Sequence, residues 1–275
     1  MNKTMLLKKE LPSWDLSDLY KSTQSQEINF DLSKLENLTT NFNKKYKGNV
    51  HKLSDKKFYN LFNSLEKIEK LSGRLISYAY LNYCENVSSE EKNKFLSDIQ
   101  EKLVKFESKI LFLSLEINSI SEKKFRKLIA KKSKVKRYET FFNKLRLFKP
   151  YQLSESMENL LNEYKSSSKS SWCKLFDETI SELSISISNK KYSFEESLNL
   201  FQSPNSKTRA MVGIKLSESL KEKIKIFCRI TNTLAKEKQI EDEKRNFSDP
   251  AASRHLANSI DPKIIKNLRD TIVDT

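Results

Sequence analysis

Two histidines and three cysteines hold most of this chain's capacity for metal or nucleophilic chemistry, and their placement restricts it. Hydrolysis at a helical zinc site needs a His-Glu-x-x-His pair, which sets both imidazoles on one helix face with the Glu as general base. His51 is followed by Lys52-Leu53-Ser54-Asp55 and His255 by Leu256-Ala257-Asn258-Ser259, so neither opens such a motif. A catalytic zinc takes three protein ligands, and no spacing of Cys, Asp or Glu around these two histidines supplies them. His51, in a polar stretch, is expected to be exposed, and His255, after Arg254, to hydrogen-bond within a packed helix. Cys84, Cys173 and Cys228 lie far apart without a Cys-x-x-Cys, and their odd number argues against a disulfide framework. They are expected as free thiols of a reducing cytoplasm, serving as small core residues. No residue is assigned a catalytic, cofactor-binding or metal-binding role, and no cofactor is expected in this chain.

The second chemical feature is charge. The 275 residues carry a formal net charge of +15, and residues 121–150 alone hold 12 basic side chains against Glu122 and Glu139. Such a run attracts acidic peptides, RNA or lipid headgroups. The plainer account is a solvated helix face whose lysine stems lie on apolar neighbours. Arginine, whose fork reads phosphates and bases, occurs at only nine scattered positions. No RNA-binding signature or Gly-rich loop accompanies the run. Nucleic acid is therefore kept only as an alternative reading, through Lys131, Lys132 and Lys134.

The elements that would position these groups are helical. Only 3 Gly and 5 Pro occur, too few for a sandwich or barrel with many turns. Residues 1–30 read as extended or loop, with Trp14, Leu16 and Leu19 packing the terminus onto a core. Over 56–83, Phe58, Leu61, Leu65, Ile68, Leu75 and Ala79 form one stripe. Ser88 and Glu91 fit a capping box, opening a helix with Phe95, Ile99, Leu103, Phe106, Ile110, Leu113 and Ile117 inward. A long antiparallel hairpin follows from the pair. Ser121 opens a third helix with Phe125, Leu128 and Ile129 inward, and Tyr138 to Arg146 continues helically as far as Pro150. Ser154 caps a further helix. Ser166–Ser171 reads as a turn before a buried helix carrying Trp172, Leu175 and Phe176.

Leu183 to Ile187 alternates at period two and, with Tyr192-Ser193-Phe194, predicts a small β-hairpin near 183–194. Ser193 with Glu196 caps the next helix. Ser203-Pro204 is expected to start a long helix with Met211, Ile214, Leu220, Ile224, Phe227, Thr231 and Leu234 inward. Asp249-Pro250 and Asp261-Pro262 each start one more. The fold class is all-α: antiparallel helical hairpins and a bundle with one β-hairpin, divided at 1–118 and 119–275. Met1 to Glu10 is too short an apolar run for a signal peptide, and Ile110 to Leu115 is too short to span a bilayer. A cytoplasmic chain with no membrane partner is expected.

Several stretches, in order, resemble oligoendopeptidase F, a zinc metallopeptidase that trims short peptides. They are Trp14 to Tyr20, then Leu153-Ser154 with Glu158 and Leu160-Leu161, then Ser171-Trp172 with Leu175 and Asp177-Glu178. Ser197-Leu198-Asn199, Asn232-Thr233-Leu234-Ala235-Lys236 and Glu241-Asp242 complete the set. The resemblance implies the helical amino-terminal lobe that covers one side of a deep channel, with the zinc helix on sequence these residues do not contain. None of that family's catalytic residues has a matching position here. Zinc is implied for the complete enzyme only, and this chain alone is expected to be inactive. It would be a truncated product or half of a split enzyme, with short peptides and a separately encoded catalytic half as its partners. Loss of that half would leave Leu234, Leu256, Leu268 and Ile272 uncovered.

Overall fold

The protein is described from a computed structural model that covers residues 14–130, 133–187 and 189–275. Residues 1–13, and with them the Met1 to Glu10 stretch, lie outside the described residues, as do Lys131, Lys132 and Ser188. The chain is mainly α-helical with one two-stranded antiparallel sheet, as its periodicity implies.

Three long helices form the first layer: α1 (Gln26–Tyr46), α2 (Asp55–Glu85) and α3 (Glu90–Ile110), each packed on the other two. The stripe on α2 is buried at Phe58, Leu61, Ile68, Leu75 and Ala79, and Leu65 packs at its margin. Stripe positions of α3 continue into α4 (Phe112–Ser119), where Leu113 and Ile117 are buried. The cap of α3 falls one residue later than the sequence suggests. Ser89, not Ser88, accepts the Lys92 N–H at 3.4 Å. Helix α1 begins at Gln26, inside the stretch read as loop, because Ile28, Leu32, Leu35 and Phe42 bury a stripe of their own.

The connection from α1 to α2 passes through Gly48 at φ +75, a left-handed turn that suits glycine. Glu116 fixes that turn by accepting the N–H groups of Gly48 at 2.5 Å and Val50 at 3.0 Å. Short helices α5 (Glu122–Leu128) and α6 (Glu139–Leu147) close the layer. Phe142 is fully buried among Phe58, Phe62, Phe125 and Tyr138, so one aromatic core runs from Tyr20 to Phe142 and packs helices on both sides of residue 118.

Trp14 does not anchor the amino-terminal segment; it is 57% exposed. The anchor is Tyr20. Its hydroxyl donates to Asp31 Oδ2 at 2.8 Å, its ring lies 4.2 Å from the Arg74 guanidinium carbon, and Arg74 also reaches Asp31 at 3.1 Å and the Leu19 carbonyl. Burial, then the Asp31 carboxylate, pushes the Tyr20 phenol well above its ordinary value.

The remaining chain is looser. It comprises α7 (Glu155–Tyr164), α8 (Lys169–Ser181), a hairpin of β1 (Ser184–Ile187) and β2 (Lys190–Ser193), α9 (Phe194–Leu200), α10 (Ser206–Glu222), α11 (Ile224–Arg245), α12 (Ala252–Ala257) and α13 (Pro262–Asp274). The hairpin register pairs Ser184 with Ser193 and Ile187 with Lys190. Ser193 and Glu196 form the expected capping box on α9. A small second core joins Ile185, Val212 and Leu216 to Phe194 and Leu200.

Several expectations fail here. The single helix from Ser203-Pro204 is two helices that break at Lys223, and Asn205 is the cap of the first. The stripe expected inward is largely outward, with Met211, Ile214 and Ile224 exposed, because Val212 and Leu216 face the hairpin from the opposite side of α10. Helix α8 is likewise not buried: Leu175 and Phe176 are exposed and Trp172 is half-buried. Among the four positions expected bare, Leu268 and Ile272 are, whereas Leu234 and Leu256 are half-buried. No helix among the described residues is long and apolar enough to cross a membrane.

Candidate functional site

Helices α7, α8 and α11 enclose a groove whose back wall is the α3–α4 junction at Leu111. It consists of two hollows of about 630 Å³ and 1420 Å³ that share Glu158 and Arg245. Local sequence sets both residues. Ser154 caps α7 by accepting the Met157 N–H at 3.3 Å, which places Glu158 one turn in, and Glu158 Oε1 accepts the Leu153 N–H at 3.0 Å. Arg245 closes α11, whose cap Asn246 takes the left-handed conformation at φ 60. The turned chain stacks Phe247 on Tyr151 at 4.1 Å.

Between the helices Arg245 grips Glu158 through two parallel bonds, Nη1 to Oε1 at 2.7 Å and Nη2 to Oε2 at 2.9 Å. Its Nε donates to Glu241 at 2.8 Å and its Nη1 to the Tyr151 carbonyl at 3.2 Å. Burial pushes the Glu158 carboxyl up, but Arg245 and the Leu153 N–H outweigh it and leave Glu158 below the usual carboxylate range. The hydrogen bond to Glu158 holds the guanidinium well above its ordinary value, against burial. This fork-to-fork pair is the strong form of ion pair. It ties α7 to α11 without filling either hollow.

The larger hollow is lined by apolar Leu161, Trp172 and Ile240 together with charged side chains. Amphipathic grooves of this kind accept extended ligands, with apolar walls giving contact area and a few polar groups giving orientation.

The residues that carry the family resemblance divide between two places. Glu158, Leu161, Trp172, Asn232, Thr233 and Lys236 line the larger hollow, and Leu234, Glu241 and Asp242 line the smaller. Ser197 is buried with its Oγ donating to the Phe194 carbonyl at 2.6 Å, and Glu178 accepts from Asn93 at 3.2 Å; both act as packing groups. The Trp14 to Tyr20 segment serves the first core. Arg245, the pivot of the groove, is absent from the sequence-level set. Glu241 four residues before it, the favourable helical order of acid before base, was the available signal.

The histidines stay apart from the groove. His51 is exposed in a short turn, as expected, and its carbonyl accepts from Lys124 Nζ. His255 is half-buried on α12, and its only hydrogen bonds among the described residues are backbone ones, which corrects the expected side-chain bond. Among the described residues no three His, Cys, Asp or Glu side chains are arranged to hold a metal ion, so the groups present do not fit a zinc site. All three thiols are free. Cys84 is half-buried, but Cys173 and Cys228 are exposed rather than in the core, because the α8 and α11 faces that bear them are uncovered.

The basic run is dispersed over several elements. Arg126 and Arg146 both pair with Glu122, Lys136 with Glu139 and Arg137 with Glu66. Arg146 also lies over the Phe125 ring at 4.4 Å and Lys134 over Tyr59 at 5.8 Å, stems on apolar neighbours.

Comparison with known proteins gives one family match, over part of the chain. Residues 116–184 match the family model for oligopeptidase F, its amino-terminal part. The crystal structure of oligoendopeptidase-F from Enterococcus faecium superposes with a TM-score of 0.77 at 16% identity, covering 89% of this chain and 49% of that one. The fold is similar to that of the part of this structure that it covers. The family match begins in α4 and ends at β1, so it spans the α7 and α8 walls of the groove. A Chlamydophila abortus structure described as a candidate peptidase gives a TM-score of 0.54 at 17% identity, over 94% of this chain and 44% of that one. The chain therefore spans about half the length of the solved structures it matches. No curated protein matches it.

Proposed function

We propose that this chain is the amino-terminal, non-catalytic portion of an oligoendopeptidase F-like zinc metalloendopeptidase, and that the groove between α7, α8 and α11 is its peptide-facing wall. The observation that carries this is convergence. Residues far apart in sequence that carry the same family resemblance, Glu158, Leu161, Trp172, Asn232 to Leu234, Lys236, Glu241 and Asp242, line one groove pinned by Glu158 and Arg245. Zinc and the base that activates its water would belong to polypeptide outside these 275 residues, supplied in the same or a separate chain. The residues here bind and orient a short peptide and exclude water along one flank; none of them offers the His-Glu-x-x-His chemistry.

The test has two parts. A quenched fluorescent peptide incubated with the purified chain is expected to show no chelator-sensitive cleavage. A labelled short peptide is expected to bind weakly, with binding lost on Trp172→Ala, as read by fluorescence anisotropy. Zinc-dependent cleavage by the chain alone would refute the non-catalytic assignment, and binding indifferent to Trp172→Ala would refute the groove. The nucleic-acid alternative has less support, because the 121–150 run is dispersed over several elements and four of its twelve basic residues, among them its three arginines, are engaged by Glu66, Glu122 and Glu139.

A further inference from the structure

The rim of the larger hollow is unbalanced in charge. Lys225, Arg229, Lys236 and Lys244 recur on α11 at spacings of four, seven and eight, which puts them on one face. Lys165 and Lys169 stand opposite, at the end of α7 and the start of α8. None of these six cations forms an ion pair with a carboxylate of the described residues. Lys236 donates only to the neutral Gln239; burial raises the Glu107 carboxyl, and Lys165 opposes that rise without pairing with it. The acids that line the same hollow are Glu158, Glu237 and Glu241, of which Glu158 and Glu241 are already held by Arg245. Glu237 alone remains. Some lysines elsewhere do find partners, such as Lys47 with Glu155, Lys105 with Glu101 and Lys215 with Glu218; what sets the rim apart is that its unpaired cations gather around one hollow.

Resting on the reading of this groove as a peptide wall, we infer that it selects acidic peptides, taking Glu or Asp side chains on its cationic rim and apolar side chains against Leu161, Trp172 and Ile240. Helix α11 is the selecting element. Its cationic face repels basic peptides, and negative selection of that kind discriminates as effectively as attraction. Because the rim is solvent-exposed, each contact is modest and screened by salt. A peptide with about three acidic side chains should bind about tenfold more tightly than its Gln-substituted analogue at low ionic strength. The advantage should shrink steadily as salt is raised.

The experiment compares the full chain with three fluorescein-labelled, carboxyl-amidated peptides of one apolar pattern, bearing Glu, Gln or Lys at the alternate positions. Anisotropy is expected to rank them Glu, Gln, Lys. Arg229→Glu with Lys236→Glu, both exposed, should abolish or invert that ranking while helical circular dichroism is unchanged. Lys207→Glu on α10, outside the groove, should leave it alone. Equal affinity for all three peptides would overturn the charge selection and leave the peptide groove standing. Absence of binding by any of them would overturn both. A single-stranded RNA oligomer bound more tightly than the Glu peptide, and released by the same double variant, would replace the ligand class.

Discussion

Arg245→Met is the most informative perturbation, because the fork it removes carries both the joint between α7 and α11 and the divide between the two hollows. The side chains of Arg245 and Glu158 retain 18% and 17% exposure. Removing one partner of a fully buried pair costs about 3–5 kcal/mol, since it strands the other charge. The residual solvent and the surviving Leu153 N–H bond reduce this to about 2–3 kcal/mol. For a chain of this size the loss corresponds to a fall of about 5–10 °C in melting temperature. Its pH dependence has a definite sign. In the native chain the folded Glu158 carboxyl lies below its unfolded value, so its stabilisation is present above about pH 4.3 and is lost as pH falls through the depressed folded value. In Arg245→Met only burial and the one N–H remain, and the ionised carboxylate becomes a liability that protonation relieves. The gap between native and variant should therefore be full at pH 7 and narrow below about pH 4.3. Urea unfolding followed by tryptophan fluorescence measures it. Trp14 is already exposed, so the change reports Trp172 in the groove wall. The double variant Glu158→Met with Arg245→Met should recover to within about 1 kcal/mol of the native chain. A single variant as stable as the native chain at pH 7, or a gap that persists unchanged into acid, would refute the reasoning.

Three further outcomes follow from the same packing. Phe142→Ala, which empties a site touched by five aromatic rings, should cost about 3–5 kcal/mol in urea unfolding. Tyr20→Phe removes one of two partners of the buried Asp31 carboxylate and should cost about 1–2 kcal/mol, less than Phe142→Ala because Arg74 remains. Ile264, Leu268 and Ile272 recur every four residues on α13 and are all at least 57% exposed. The chain should thus self-associate as its concentration rises, and Leu268→Glu with Ile272→Glu should suppress this in light scattering; a native chain that stays monomeric would contradict it.

The helices of the first layer are legible in the sequence because each has one dry face. On α2 and α3 most of the expected series is buried, although Phe62, Tyr78, Tyr83 and Leu96 are buried beside it and Phe95 is only half-buried. On α10 two apolar series compete, Met211 with Ile214 and Val212 with Leu216, and periodicity cannot say which one meets the hairpin. The hairpin itself is what decides, and it is a tertiary fact. The groove was legible only in pieces for the same reason. The capping Ser154 and the Glu158 of α7 stand out locally, but Arg245 lies 87 residues further on, and nothing short-range connects them.

The use of an ion pair at that joint is itself informative. An apolar contact between α7 and α11 would lower its energy by drawing the helices together and collapsing the hollows. A guanidinium–carboxylate fork holds them at a fixed separation set by bond length, with its directional bonds satisfied also by Tyr151, Leu153 and Glu241. Such a fork favours a groove that keeps its width. The dense aromatic core between Tyr20 and Phe142 makes that affordable by supplying a rigid base, to which α3 fastens α7 through Asn162 bonds to Val104 and Ser108. Rigidity on one side and a spaced polar joint on the other would suit the proposed peptide wall.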